Sequence, residues 1–445
     1  MRRRLLIAIV AALCVCGPAG AATGRTSGDP LQGQEWWLTD IGADQVAPPG
    51  PGVPITIVDS GVDPTHPEFA GRANTFFLND QTVDGRDEYH GTFVASVAAA
   101  PANGVGIVGV YPQAVIQSWD ASPVPGLSDI SAAQGIATGA QHCPGVINIS
   151  FGSAEPDPLL EDAILGAVHN GCLVVAAAGN SGQQGNPPTF PADYPHVLTV
   201  AATDESDAVA PFSSMSASID LAAPGVDIVG AVPLSHDPSG YQPQPGLSGT
   251  SFSAPMVSAA AAWVWTVRPT LDASQIFELL RRTARDIGPP GFDTGSGFGI
   301  LNVPAALTAP PPQRDPGEPN DNIDEIFPGG FFAAGEAPLT TAAKPSVRIA
   351  ARLDSSEDPR DVYRIWVPAH RVVRVQIVAG AGDAAARIWG PKTVDVNEGI
   401  AARRRDLRGP QIQGTSKGFS AYVEVLPTGR STSASYVLAV TASKR

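Results

Sequence analysis

The sequence predicts an α/β unit, a mostly parallel sheet flanked by helices, followed by a small all-β sandwich domain. Three observations carry that expectation. Between positions 55 and about 307, short apolar runs alternate with helix-like stretches, the pattern that lays strands side by side in parallel with helices over both faces. Positions 308–316 (TAPPPQRDP) then form a proline-rich spacer, stiff and extended. Beyond it strand-like runs follow one another with no clear helix between them, as in a sandwich of about 125 residues.

The strand candidates of the first unit are 55–59, 114–118, 146–150, 173–178 and 197–202. Each is a short apolar run bounded by glycine, proline or small polar residues. Helices are expected over 91–100, 128–141, 158–170, 252–267 and 273–282, where apolar residues recur at helical spacing or alanines accumulate. In the tail, 347–353, 361–367, 371–378, 421–425 and 435–440 read as strands.

Composition narrows the function. The chain has 445 residues, enough for two or three domains, and is 43% hydrophobic, enough for a sizeable core. With 16% charged residues it is no coiled coil, and 47 Gly with 43 Pro, about a fifth of the chain, stay below the level of low-complexity sequence. The net charge of −15 and the lack of a basic run of nucleic-acid type argue against a phosphate-backbone partner.

The first residues have the build of a secretory signal peptide. Arg2, Arg3 and Arg4 form a positive head, 5–15 an apolar stretch, and Ala19-Gly20-Ala21 a small-residue cleavage site. The apolar stretch is well short of the roughly 20 residues that cross a bilayer. Cys14 and Cys16 do not follow the pattern of a lipoprotein signal. The expectation is a signal peptide over 1–21, a short extension over 22–34, and a secreted mature chain with no membrane span. Export leaves Cys143 and Cys172, each just before an apolar run. If those runs are neighbouring parallel strands, both sulfurs lie at the same sheet edge, as a disulfide or as two buried thiols.

Three segments place polar residues where apolar or small residues otherwise prevail. In ITIVDSGVD, Asp59 stands where a buried strand ends on a glycine turn; in HGTFVAS, His90 opens a helix of small residues; in GTSFSAP, Ser251 follows a glycine turn and opens an alanine-rich helix. Serine, histidine and buried carboxylate are the parts of an acyl-transfer device. The hydroxyl is a weak nucleophile until a base takes its proton, and the carboxylate fixes the tautomer of that base. A fourth segment, AAAGNSG, sets Asn180 at a strand end beside glycines, where its amide can donate to a developing oxyanion. The Ser251 backbone N–H, at a helix N-terminus, is the second expected donor. Singly, each segment reads first as a turn former or a helix cap; together, in this order and context, they point to a serine hydrolase.

These motifs resemble those of the subtilisin-like serine proteases: IVDSGVD, HGTFVAS, VINISFG, AAAGNSG and GTSFSAP, joined by YPHVLTVAA, DLAAPG and GFGILNV. The similarity runs over 35–307 and implies Asp59, His90 and Ser251 as triad and Asn180 as oxyanion side chain. It also implies a substrate channel, with Ser150-Phe151-Gly152 and Ala177-Ala178-Gly179 as walls of the primary pocket and loop 181–189, ending at Thr189, at its base. That loop holds no acid, so a neutral or apolar preference is expected; Phe151 reads equally as core. No cofactor is needed for the chemistry. A structural Ca²⁺ is implied at Glu68 and Asn103 with carbonyls of Pro101, Val105 and Ile107, against a plain glycine loop without metal.

The chain departs from the family in four ways. Only a short extension precedes Glu35, Phe93 replaces a histidine, and Phe252 and Met256 stand where methionine and histidine are frequent. The tail, through DPGEPND at 315–321 and DVYRIWV at 361–367, resembles the bacterial pre-peptidase C-terminal domain, with an accessory role over 317–445. Asp315, Glu318, Asn320 and Asp321 read first as a solvated acidic linker and second as calcium ligands, and Arg403-Arg404-Arg405 as a solvated loop. The resulting expectation is a secreted, monomeric serine endopeptidase acting on polypeptides. The alternatives are a dedicated processing protease, and a binding or scaffold protein on the same frame.

Overall fold

The computed structural model describes residues 27–83, 89–122, 126–315, 338–354, 360–381, 384–390, 400–401, 409–428 and 433–444. The signal-peptide reading, Glu318, Asn320, Asp321 and the arginines at 403–405 lie outside the described residues.

The first unit is built on seven strands: β1 (Pro54–Asp59), β2 (Thr75–Phe77), β3 (Val115–Asp120), β4 (Val146–Ile149), β5 (Leu173–Ala177), β6 (Val197–Thr203) and β7 (Ile219–Pro224). Their order is β2-β3-β1-β4-β5-β6-β7, with every neighbouring pair parallel. The five expected strands are β1 and β3 to β6. β4, β5, β6 and β7 are buried along their whole length, which is why they read as continuous apolar runs rather than alternating ones.

Helices cover both faces. On one side lie α2 (His90–Ala99) and α5 (Thr250–Val267), contributing Val94, Val97, Val257 and Trp263 to the larger core. On the other lie α3 (Asp129–Gly139) and α4 (Pro158–His169), with Ile136, Leu160 and Ile164 against Ile147 and Val174. Both of the latter helices start on side-chain caps: Ser128 accepts from the Ser131 N–H, and Asp157 from the Leu159 and Leu160 N–H groups. Three further helices complete the unit: α1 (Trp36–Asp40), α6 (Ala273–Thr283) with its Asp272/Gln275 capping box, and α7 (Val303–Thr308). An antiparallel hairpin, β8 (Ile228–Ala231) with β9 (Tyr241–Leu247), stands apart from the main sheet.

The second unit is a β-sandwich. Its strands are β10 (Val347–Asp354), β11 (Asp361–Val367), β12 (Arg371–Ala381), β13 (Ala384–Trp389), β14 (Ile400–Ala401), β15 (Gln411–Gln413), β16 (Phe419–Pro427) and β17 (Ser433–Lys444). Two antiparallel four-stranded sheets, β10-β17-β12-β15 and β11-β16-β13-β14, enclose Leu353, Ile365, Val375, Val423 and Leu438. The spacer leaves α7 at Thr308, its last helical residue, with Ala309 extended, and its Pro312 carbonyl accepts from Gln275 Nε2 while Arg314 pairs with Asp272. Hydrogen bonds to α6 replace the solvent that a free linker would need. No helix among the described residues is long and apolar enough to cross a membrane.

Candidate active site

The carboxyl ends of parallel strands are where an open α/β sheet presents ligand-binding groups. β1 ends on Asp59, and Ser60 and Gly61 then turn the chain across the start of α2. A Cβ at Gly91 would lie 2.2 Å from the Gly61 carbonyl oxygen, so only glycine lets the helix start that close. The Gly91 N–H donates to Ser60 Oγ at 3.0 Å and fastens the two segments. His90 is thereby held with Nδ1 2.8 Å from Asp59 Oδ1. The carboxylate is buried at 2% exposure while the imidazole keeps 28%, open to an incoming group on one side. Burial works against a charge on the ring, but the attraction of Asp59 and its hydrogen bond outweigh burial and raise the His90 pKa above its usual value.

Phe252 and Phe93 account for two of the departures noted in the sequence. Their rings lie 4.5 Å apart by centroid, and Phe252 is 5.8 Å from the imidazole, so the pair walls the core side of His90 with apolar surface. Met256 is wholly buried in the same core.

Ser251 is the second residue of α5, beside β4 and the turn after β5. Its hydroxyl donates to the Ser150 carbonyl oxygen at 2.9 Å. In this arrangement the Ser251 hydroxyl is engaged by the Ser150 carbonyl and not by His90. Asn180 follows Gly179, whose φ of +98° no β-carbon-bearing residue adopts without strain. Asn180 Oδ1 accepts from the Thr250 N–H at 3.0 Å and from Thr250 Oγ1 at 3.1 Å. With its oxygen held this way, the amide NH₂ is left to face the cleft.

The cleft is a pocket of 190 Å³ lined by Ser150, Phe151, Gly152, Ala177, Gly179 and Thr189, together with Asn180, Ser251, Ala154, Pro187 and Pro188. No carboxylate is among those residues. Ala178, expected in the wall, is buried in the same core cluster as Ala177 and is not among the residues lining this cavity. Phe151 takes part in both settings, lining the pocket and packing on the core.

The cation reading meets a more specific arrangement than the sequence offers. Glu68 is buried, and its Oε1 accepts from the Tyr241 hydroxyl at 2.9 Å and the Ile107 N–H at 3.2 Å. The Asn103 amide donates to Glu68 Oε2 at 3.3 Å. Opposite lies Asp29, also buried, whose Oδ1 accepts from the Asn103 and Val105 N–H groups. Asp29 Oδ2 has no hydrogen-bond partner among the described residues. Burial pushes the Glu68 carboxyl up to about 7, with the nearby Asp29 charge adding to the rise. An orphaned buried carboxylate oxygen beside a second buried carboxylate, in a loop of amide and carbonyl oxygens, fits a hard divalent cation such as Ca²⁺. Asp29 and Tyr241 escape sequence reasoning because only the fold brings them to Glu68. Among the described residues, no group of three or more His, Cys, Asp or Glu side chains is placed to hold a metal.

Cys143 and Cys172 form a disulfide, with Cα atoms 5.0 Å apart. It ties the entries of β4 and β5, which are adjacent parallel strands with Val146 opposite Leu173.

The Subtilase family model matches residues 50–299 of the chain. Subtilisin BL of Lederbergia lenta is 36% identical over 260 residues, covering 58% of this chain and 91% of that protein. Subtilisin Savinase of the same organism is 35% identical over the same coverage. Among solved structures, the S41 psychrophilic protease superposes with a TM-score of 0.53 at 25% identity, over 62% of this chain and 99% of its own. A lanthipeptide protease shares the fold at 23% identity and a TM-score of 0.54, over 64% of this chain and 98% of its own.

Proposed function

The chain belongs to the subtilase family and is a serine endopeptidase, and from that premise we propose that Ser251 is its nucleophile, His90 its base and Asp59 the group that orients the base. The observation that carries this reading is the His90 Nδ1–Asp59 Oδ1 contact of 2.8 Å, in a chain whose Ser251 lines an acid-free pocket together with Asn180. On substrate binding the Ser251 hydroxyl leaves the Ser150 carbonyl and turns to His90 Nε2. Such contacts are often loose in the free enzyme and tighten in the complex. Oγ attacks the scissile carbonyl as its proton passes to Nε2. The amide of Asn180 and the Ser251 N–H receive the oxyanion, and the imidazolium then protonates the leaving amine. Water repeats the sequence on the acyl-enzyme. No cofactor enters these steps.

The acid-free pocket supports a neutral or apolar side chain before the scissile bond. A charged head carried into it would lose its hydration with no partner in return. The N-terminal sequence and the disulfide support export, since disulfides persist in oxidising compartments. The expected partner is a polypeptide substrate, and a monomer suffices for the proposed chemistry. The lanthipeptide protease speaks for the fold alone at its identity, so the broader substrate reading is preferred to a dedicated processing role. The β-sandwich of 317–445 is assigned an accessory role.

The deciding experiment is activity-based labelling. The mature protein should cleave casein and peptides with Phe, Leu or Met before the scissile bond, cleave Arg and Glu counterparts poorly, and react with a serine-directed fluorophosphonate. Ser251→Ala should abolish cleavage and labelling together; labelling that persists in that variant would refute the assignment.

Calcium is proposed as a structural ligand of Asp29, Glu68 and Asn103, with the Val105 and Ile107 carbonyls completing the shell. A ligand held by the folded state alone raises stability by about 2.7 kcal/mol at a hundredfold excess over Kd. Chelation with EDTA should therefore lower the melting temperature by several degrees, and Asp29→Ala should remove the difference between EDTA and Ca²⁺. Equal melting curves for the parent protein in both buffers would discard the site.

A further inference from the structure

β4 carries a polar side chain where its neighbours are aliphatic. In Val146-Ile147-Asn148-Ile149 every residue is buried, and Asn148 itself has no exposed surface. It shares a sheet face with Val146, the face that α5 covers. An unsatisfied amide there would cost about 1–3 kcal/mol, so its partners explain its presence. Asn148 Oδ1 accepts from Ser258 Oγ of α5 at 2.9 Å, and Asn148 Nδ2 donates to Ser150 Oγ at 3.0 Å. The Ser150 hydroxyl donates in turn to the Ser251 carbonyl oxygen at 2.9 Å. Ser258 and Ser150 are themselves buried, at 0% and 2% exposure. A buried chain of hydrogen bonds thus runs from the third turn of α5, through β4, back to the backbone of the proposed nucleophile. Such chains strengthen each member in a low-dielectric interior.

Ser150 holds Ser251 at both ends. Its side chain fixes the Ser251 carbonyl, and its own carbonyl receives the Ser251 hydroxyl at 2.9 Å. The carbonyl contact sets the tilt of the peptide on which Oγ and the N–H of Ser251 are mounted. We propose that Asn148 and Ser150, backed by Ser258, are positioning residues for the nucleophile. They hold the Ser251 backbone at the angle that serves both attack and oxyanion donation, and Ser150 O parks the hydroxyl until substrate arrives. The inference rests on Ser251 being the nucleophile, and it assigns to the Ser150 side chain a task separate from the pocket wall that its backbone forms.

A displacement of about 1 Å at a reacting group can cost on the order of a hundredfold in rate. Ser150→Ala, purified folded with a near-parental melting temperature, should react with a fluorophosphonate at least about tenfold more slowly. Its kcat on a peptide substrate should fall in step while KM stays close to the parent's. A residue that only filled space would lower stability without that split. Asn148→Ala should slow labelling in the same way, and the Asn148→Ala/Ser150→Ala pair should be no slower than the slower single variant, because both break one chain. Should Asn148→Ala fail to fold, Ser258→Ala takes its place in the cycle. Parental labelling rates in Ser150→Ala, or slowing factors that multiply in the double variant, would overturn the proposal. Loss of labelling in Ser251→Ala would still leave the functional reading standing, so the two failures are separable.

Discussion

His90 sits between two demands: it must be neutral to accept the Ser251 proton and must carry charge comfortably once it has done so. Asp59 serves the second demand and raises the pKa in the resting enzyme. Below that pKa the ring already holds the proton it should accept, so activity is lost as pH falls. The acid limb of kcat/KM should therefore lie above the value of about 6.5 for an ordinary histidine. Asp59→Asn should move the limb to lower pH and reduce kcat by about 10⁴, the cost of a wrong tautomer in such triads. A pH profile that does not move in Asp59→Asn would separate His90 from the proposed proton transfer. Asp59, His90, Asn180 and Ser251 were legible because acyl transfer needs polar groups where apolar or small residues otherwise run. Asp29 and Tyr241 carried no such mark. A lone aspartate near the chain start and a tyrosine in a proline-rich hairpin gain meaning only when they meet Glu68. Asn148 was in plain view within VINISFG, yet its partner Ser258 lies 110 positions further along the chain, on α5.

Elements were legible in proportion to their length and burial. β1, β3, β4, β5 and β6 showed as apolar runs because helices cover them on both sides. β7 did not, since Asp220 interrupts it; burial pushes this carboxyl up to about 7, and Arg281 at 3.2 Å works against that rise. β2 is three residues with two exposed phenylalanines, and β9 contains two prolines with its centre exposed, so neither has a period to detect. α1 spans five residues and α7 six, too short for a helical repeat. The disulfide belongs to this scale as well, because it spans 29 positions and encloses α4 between the entries of two strands. Closing a loop of that size removes unfolded-state freedom equivalent to about 3–4 kcal/mol in the chain-entropy model. Cys143→Ser/Cys172→Ser should lower the urea midpoint accordingly, with kcat and KM unaltered because the tie is at the amino ends of the strands and the cleft at their carboxyl ends. A midpoint equal to the parent's would show that α4 and its neighbours already restrain the loop.

At the scale of the whole molecule the question is what holds the sandwich to the protease unit, since a proline-rich spacer alone would leave it swinging. The answer centres on Arg281, buried at 6% exposure on α6. Its guanidinium reaches Asp220 of β7 at 3.2 Å and Asp354 of β10 at 3.1 Å, with its central carbon 4.5 Å from the Phe298 ring. Beside it Glu278 pairs with Arg352 of β10, and the Arg352 N–H donates to Asp315 at 2.7 Å. The buried Arg281–Asp220 pair specifies a geometry more than it adds stability, while the Arg352–Glu278 pair, with Arg352 at 38% exposure, contributes less because solvent screens it. The sequence could not announce this junction: its residues are common charged types, drawn from an amphipathic helix and an edge strand, and a cavity of 460 Å³ is left between the two surfaces. The catalytic groups stand on other elements, so Arg352→Ala/Asp354→Ala should change kcat/KM on a short peptide by less than about twofold, as distant independent sites usually allow. The same variant should speed amide hydrogen exchange in α6 and β10 together and lower the apparent melting temperature. Exchange that stays at parental rates in both elements would mean that the spacer contacts to α6, through Gln275 and Asp272, suffice to seat the sandwich without the ion pairs.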